Sequence, residues 1–183
     1  MDGVGDLIFN PWMTKQETLW LIDRAKESET FAEIGCWTGI TTLNVAKRTR
    51  ADYYCVDLWP DIDQNKDVCV TEHLKSRPKG WLYNEFSKNT AGLPNVKPVR
   101  MKTAEAPKNL ADVNFDVVFI DASHDYASVR ADILAWFFKV KKGGYIAGHD
   151  YGVGMEYHVN KAVNELIPDR QIVPMTTIWY YRR

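Results

Sequence analysis

Residues 115–121 read Phe-Asp-Val-Val-Phe-Ile-Asp. A strand whose interior is apolar at nearly every position needs both of its faces covered, as a parallel strand between two helical layers has. Shorter runs of the same kind occupy residues 31–35, 53–57 and 145–149, and a weaker one, interrupted by Pro98, spans 96–101. Helical patterns lie between them. Thr14-Lys15-Gln16-Glu17 is a capping box that opens a helix reaching roughly Glu29. Thr38 is the expected cap of a second, which carries Leu43, Val45 and Ala46 and closes in Lys47-Arg48. Val129, Ile133, Trp136, Phe137 and Val140 take core spacing in a third, with Gly143-Gly144 read as its stop. Val159, Ala162, Val163 and Leu166 mark another. Strands alternating with helices imply right-handed crossovers and a parallel sheet. The last two apolar runs, Ile172-Val173 and residues 178–181, are too close for a crossover and predict an antiparallel C-terminal edge.

The expected fold is therefore an α/β, Rossmann-like three-layer sandwich with a mostly parallel sheet, in a single domain over residues 1–183. One segment breaks the rhythm. Residues 58–95 are more than a plain crossover needs and hold Trp59, Trp81, Tyr83 and Phe86. They predict one or two helices and a candidate lid over an acceptor, although aromatics are equally ordinary core residues.

Composition narrows the partners. Hydrophobic residues make up 45% and charged residues 26% of 183, a globular mix that excludes disorder. A net charge of −1 with scattered basic residues makes no case for nucleic acid, which demands a concentrated basic face. No run approaches the roughly 18 apolar residues of a membrane span. Cys36, Cys55 and Cys69 have neither metal nor redox spacing, which suits a reducing compartment. With no signal-peptide pattern at the N-terminus, the cytoplasm is the expected location.

Two features suggest a ligand. Glu33-Ile34-Gly35-Cys36-Trp37-Thr38-Gly39 ends a strand in a glycine turn, where backbone approaches a ligand that a Cβ would exclude. The dinucleotide fingerprint is G-x-G-x-x-G, and its second glycine admits a pyrophosphate. That position is Trp37 here, which argues against a nicotinamide-dependent oxidoreductase. Asp57 ends the second strand, where a carboxylate can accept both ribose hydroxyls of an adenosine ligand. A plain tight turn and a loop or N-cap aspartate are the alternatives.

These motifs, with Val56-Asp57, FDVVFIDASHDY at 115–126 and GGYIAGHDY at 143–151, resemble the class I S-adenosylmethionine-dependent methyltransferases. They are most similar to the small branch with the catechol, macrocin and novobiocin-type O-methyltransferases. The resemblance covers about residues 30 to 166. It implies a sheet of about seven strands, with Glu33, Gly35 and Gly39, and the intervening Cys36 and Trp37, around the methionine end of S-adenosyl-L-methionine. Asp57 would meet the ribose, Thr103 and Ala104 the adenine, and Asp121 would lie beneath the sulfonium.

In similar metal-dependent O-methyltransferases the positions of Asp121, His149 and Asp150 hold a divalent cation, usually magnesium. This chain departs from them at His149, where those enzymes carry a carboxylate. Imidazole suits manganese better than magnesium. His149 is alternatively a metal-free general base or a hydrogen-bonding residue at the sheet top, and His124 is a second candidate base or a cap. Tyr126 and Tyr151 are expected to pack rather than to touch substrate. The implied reaction is O-methyl transfer to the hydroxyl of a small molecule. A non-catalytic S-adenosylmethionine-binding protein is the rival reading. The acceptor pocket is one that the lid or a second subunit, as in a homodimer, would complete.

Overall fold

The computed structural model describes residues 6–60, 68–152 and 157–183. In chain order the elements are α1 (Lys15–Lys26), β1 (Thr30–Ile34), α2 (Ile40–Ala46), β2 (Asp52–Asp57), α3 (Val68–Leu74), α4 (Trp81–Asn89), β3 (Val96–Arg100) and α5 (Ala106–Asn109). They continue with β4 (Phe115–Ile120), α6 (Tyr126–Trp136), a 3-10 turn (Phe137–Lys139), β5 (Val140–Gly148), α7 (Tyr157–Leu166), β6 (Gln171–Ile172) and β7 (Trp179–Arg182). The seven strands form one sheet in the order β3-β2-β1-β4-β5-β7-β6. Strands β1 to β5 run parallel, and β7 pairs antiparallel with both β5 and β6. The expected parallel sheet and antiparallel edge are both present.

Alternation of side chains sends each strand's apolar residues to two faces. On one face Phe31, Tyr53, Val117 and Phe119 pack against Leu21, Ile22 and Ala25 of α1 and Val45 of α2. On the other, Ala32, Ile34, Val118 and Ile120 pack against Val129, Ile133 and Trp136 of α6 and Val163 of α7. Phe115 joins this second face and meets Trp136 edge-on at 5.8 Å, because the β4–β5 register shifts between Phe115 and Val117.

Three local expectations are corrected. Gly39, not Thr38, is the N-cap of α2, in a left-handed conformation without a side-chain hydrogen bond. Gly143-Gly144 lies inside β5 rather than ending a helix, and α6 stops earlier, at Trp136. A Cβ on Gly144 would stand 2.5 Å from the Asp116 carbonyl oxygen, so close strand approach is what its lack of a side chain serves. Lastly, the segment from 58 to 95 does form two helices, but Trp59 and Phe86 are each 1% exposed. Their rings lie 4.5 Å apart in the core, and the Trp59 indole N–H donates to the Trp37 carbonyl at 2.9 Å. Those two residues are scaffold and not lid. Residues 61–67 of the expected lid, and the Cys69 side chain, lie outside what is described. Tyr126 and Tyr151 bond their hydroxyls to Glu165 and Asn164 respectively, as packing residues do.

Candidate active site

The carboxyl ends of β1, β2, β4 and β5 converge at one edge of the sheet, the place where open α/β sheets bind ligands. The glycine turn leaves β1 with Gly35 at φ +88° and its N–H donating to the Val56 carbonyl at 2.9 Å. A Cβ on Gly35 would lie 2.0 Å from the carbonyl oxygen of Asp121, so only glycine fits between these strand ends. Trp37 holds φ +48° at the turn's apex.

Asp57 supports that turn directly. Its Oδ2 accepts the N–H groups of Cys36 at 2.9 Å and Trp37 at 3.0 Å, while Oδ1 accepts Trp59 N–H at 2.7 Å. Burial raises its pKa against these hydrogen bonds. Glu33 lies beneath the turn at 1% exposure and accepts from the Thr42 and Tyr53 hydroxyls, both at 2.8 Å. Burial, with Asp121 and Asp57 nearby, outweighs those bonds and pushes its pKa up to about 8. Those two bonds tie the Glu33 carboxyl to α2 and β2. The Thr103 hydroxyl donates to Asp132 at 2.7 Å and its carbonyl accepts from the Trp136 indole N–H at 3.0 Å, which fixes the loop carrying Ala104.

The ends of β4 and β5 bring together every titratable residue singled out there. His149 is 8% exposed and faces three carboxylates. Nδ1 is 3.1 Å from Asp150 Oδ1 and 3.7 Å from Asp121 Oδ1, and Nε2 is 3.3 Å from Glu17 Oε1 without an aligned hydrogen bond. Burial disfavours its charge, yet Asp121, Asp150 and Glu17 outweigh burial and raise its pKa to about 11. Asp150, at φ +63°, reaches His124 Nε2 with its other oxygen at 3.0 Å. His124 and His149 hold its pKa well down in spite of burial, whereas burial raises that of Asp121.

Ligand atoms of Asp121, His124 and Asp150 all lie within 4.8 Å of one another. Two carboxylates and an imidazole at that spacing fit a divalent cation such as manganese. This group contains His124 where the sequence pointed to His149, whose Nδ1 faces the same two carboxylates from behind. Sequence reasoning missed Glu17 and Thr177. Glu17 is visible in the sequence only as the capping-box glutamate of α1, and nothing local marks Thr177.

Residues 32–151 match the family model described as a methyltransferase domain. Among solved structures, the chain superposes on cofactor-bound Rv0187 from MTB with a TM-score of 0.67 at 14% identity, covering 94% of this chain and 82% of that one. Calicheamicin methyltransferase CalS11 gives 0.68 at 15%, covering 91% and 77%. An rRNA methylase from Streptococcus thermophilus gives 0.60 at 11%, covering 94% and 95%. No curated protein matches the sequence. At these identities the superpositions establish the fold alone. No helix among the described residues is long and apolar enough to cross a membrane. The glycine turn, the strand order and a family match to more than half of the chain agree, and the chain belongs to the class I methyltransferase-domain family, whose cofactor is S-adenosylmethionine.

Proposed function

We propose that the protein transfers a methyl group from S-adenosyl-L-methionine to a hydroxyl of a small molecule. The observation that carries this reading is the Asp121–His124–Asp150 cluster beside the glycine turn, at the carboxyl ends of β4 and β5. The bound cofactor supplies a methyl group on a positively charged sulfur. In the proposed site the turn from Gly35 to Gly39, with Cys36 and Trp37, holds its methionine end. Asp57 receives the ribose while its backbone bonds hold the turn rigid, and Thr103 and Ala104 border the adenine.

His124 is 46% exposed in its side chain and backed by Asp150, which suits an imidazole that meets substrate and takes a proton. As the acceptor oxygen forms its bond to the methyl carbon, the carbon–sulfur bond electrons return to sulfur. The hydroxyl proton passes to His124. His149, held charged behind the two carboxylates, keeps them facing the acceptor rather than acting as the base. Asp121, His124 and Asp150 would hold a magnesium or manganese ion, which lowers the pKa of a bound hydroxyl. As a ligand of such an ion His124 would not be the base, and the hydroxyl proton would leave to solvent. Positioning two reactants in one site supplies much of the rate. A net charge of −1 favours an uncharged small acceptor over a phosphate backbone. Solved structures of the same fold that are O-methyltransferases, CalS11 and NovP, support a hydroxyl acceptor.

The test is release of S-adenosylhomocysteine from a panel of phenols, catechols and sugar hydroxyls, with and without chelator. If the cluster holds a metal, chelator abolishes activity and manganese restores it at least as well as magnesium; if His124 is the base, chelator changes nothing and His124→Ala loses on the order of 10²–10⁴ in rate. Cofactor binding without turnover on any hydroxyl acceptor would leave a binding protein and defeat the reading.

A further inference from the structure

Glu17 and Thr177 lie outside the matched residues 32–151, yet both reach the site. Glu17 sits in the first turn of α1 and is 2% exposed. Its Oε2 accepts from the Thr14 N–H and hydroxyl, both at 2.8 Å, and with the Glu17 N–H donating to the Thr14 hydroxyl at 3.3 Å this completes the capping box. Its Oε1 does something else. It accepts from the Thr177 N–H at 2.9 Å and hydroxyl at 3.0 Å, and it faces His149 Nε2 at 3.3 Å. The Thr177 hydroxyl, having given its hydrogen to Glu17, accepts the Asp150 N–H at 3.2 Å, and the Thr177 carbonyl accepts the Tyr151 N–H at 2.9 Å.

The direction of these bonds is the argument. A buried carboxylate is costly unless paired, and capping occupies only half of this one. The remaining oxygen aligns Thr177 so that its lone pair meets the Asp150 backbone where that residue takes φ +63°. It also takes the far side of the His149 ring, so that Nδ1 faces Asp150 and Asp121. The carboxylates of Asp121, Asp150 and Glu17 thus all lie within 3.7 Å of a His149 ring nitrogen, with Glu17 at the back of the cluster.

We propose that Glu17 is a positioning residue of the active site, acting through Thr177 and His149 to fix Asp150 and to favour a cation at the Asp121–His124–Asp150 cluster. The cation part rests on the reading given under Proposed function. Outer residues that orient metal ligands typically change metal affinity 10- to 100-fold when lost.

The experiment compares the full chain with Glu17→Gln and Thr177→Val, and with Thr14→Ala as a cap control, all checked for folding by circular dichroism. Manganese chloride alone is titrated by electron paramagnetic resonance, S-adenosylhomocysteine by calorimetry, and amide exchange is followed at Asp150 and Tyr151. Expected are at least tenfold weaker manganese binding and about tenfold faster exchange in Glu17→Gln, with S-adenosylhomocysteine affinity within twofold. Thr177→Val should show the same exchange effect if Glu17→Gln does not fold. Thr14→Ala should lower the melting temperature while leaving manganese affinity unchanged. Wild-type manganese affinity in a folded Glu17→Gln protein would overturn the proposal. If the natural chain binds no manganese, the metal part of the earlier reading falls. Glu17 is then judged by the His124 ring nitrogen shifts, which should move in Glu17→Gln and whose constancy would overturn it.

Discussion

Glu33 gives the fold a pH dependence of its own, which Glu33→Gln should abolish. With a pKa of about 8 in place of the ordinary 4.5, the carboxyl is about nine-tenths protonated at pH 7 in the folded chain and ionised in the unfolded one. A raised folded pKa means stability is fully present below 4.5 and is lost as pH climbs towards 8. Each pH unit inside that window costs up to about 1.4 kcal/mol. Integrated between pH 5 and pH 7, the loss is roughly 2–3 kcal/mol. Glutamine has the same shape, can accept from Thr42 and Tyr53, and does not titrate. Urea denaturation of both proteins at pH 5, 6 and 7, without cofactor, isolates the effect, since every other titrating group is common to the two. The variant should gain on the natural chain by roughly 2–3 kcal/mol across the series. A difference constant to within about 0.5 kcal/mol, or one of opposite slope, would mean that Glu33 is ionised in the fold and would refute the burial argument.

Gly35→Ala should unfold the protein or cost on the order of 3 kcal/mol or more, since the new Cβ meets the Asp121 carbonyl at 2.0 Å in a left-handed backbone; an unchanged melting temperature would contradict the geometry. Asp57→Ala removes the proposed ribose contact together with the brace on Cys36 and Trp37, so S-adenosylhomocysteine affinity should fall by about 1.5–3 kcal/mol or more, and calorimetry showing no change would remove Asp57 from the cofactor site. Trp59→Ala should cost roughly 3–5 kcal/mol in denaturant unfolding, as a core truncation does; a cost under about 1 kcal/mol would restore the lid.

The features legible in the sequence are those whose physical cause is local. The doubly apolar run of β4 announces a covered parallel strand because each side chain's face is set by its neighbours along the same strand. The turn after β1 is visible in its glycines, and the α1 capping box in a four-residue spacing. What failed depended on approach from elsewhere. Gly143-Gly144 looks like a helix stop, yet the reason for Gly144 is the backbone of Asp116, on the neighbouring strand. Trp59 and Phe86 stand among polar residues, so nothing local distinguishes a core pair from a lid. In the sequence His149 reads as the ligand and His124 as a base or a cap, and nothing local shows His124 Nε2 at 3.0 Å from Asp150. Nor does anything local show Glu17, 132 residues away in sequence, at 3.3 Å from His149 Nε2.

That separation bears on how the site is built. The strand ends supply Asp121 and the His149-Asp150 pair, but strand geometry does not decide where Asp150 points. A non-glycine residue at φ +63° costs roughly 1–2 kcal/mol, and aspartate is among those that tolerate it best. The conformation persists because the Thr177 hydroxyl accepts the Asp150 N–H and the Thr177 carbonyl the next N–H, two hydrogen bonds worth roughly 1 kcal/mol each in net terms. Thr177 is fixed in turn by the one Glu17 oxygen that capping leaves over. Helix α1 and the turn before β7 therefore close the site from behind, so the matched residues 32–151 alone hold Asp121, His124 and Asp150 without the Glu17 and Thr177 contacts behind the Asp150 backbone.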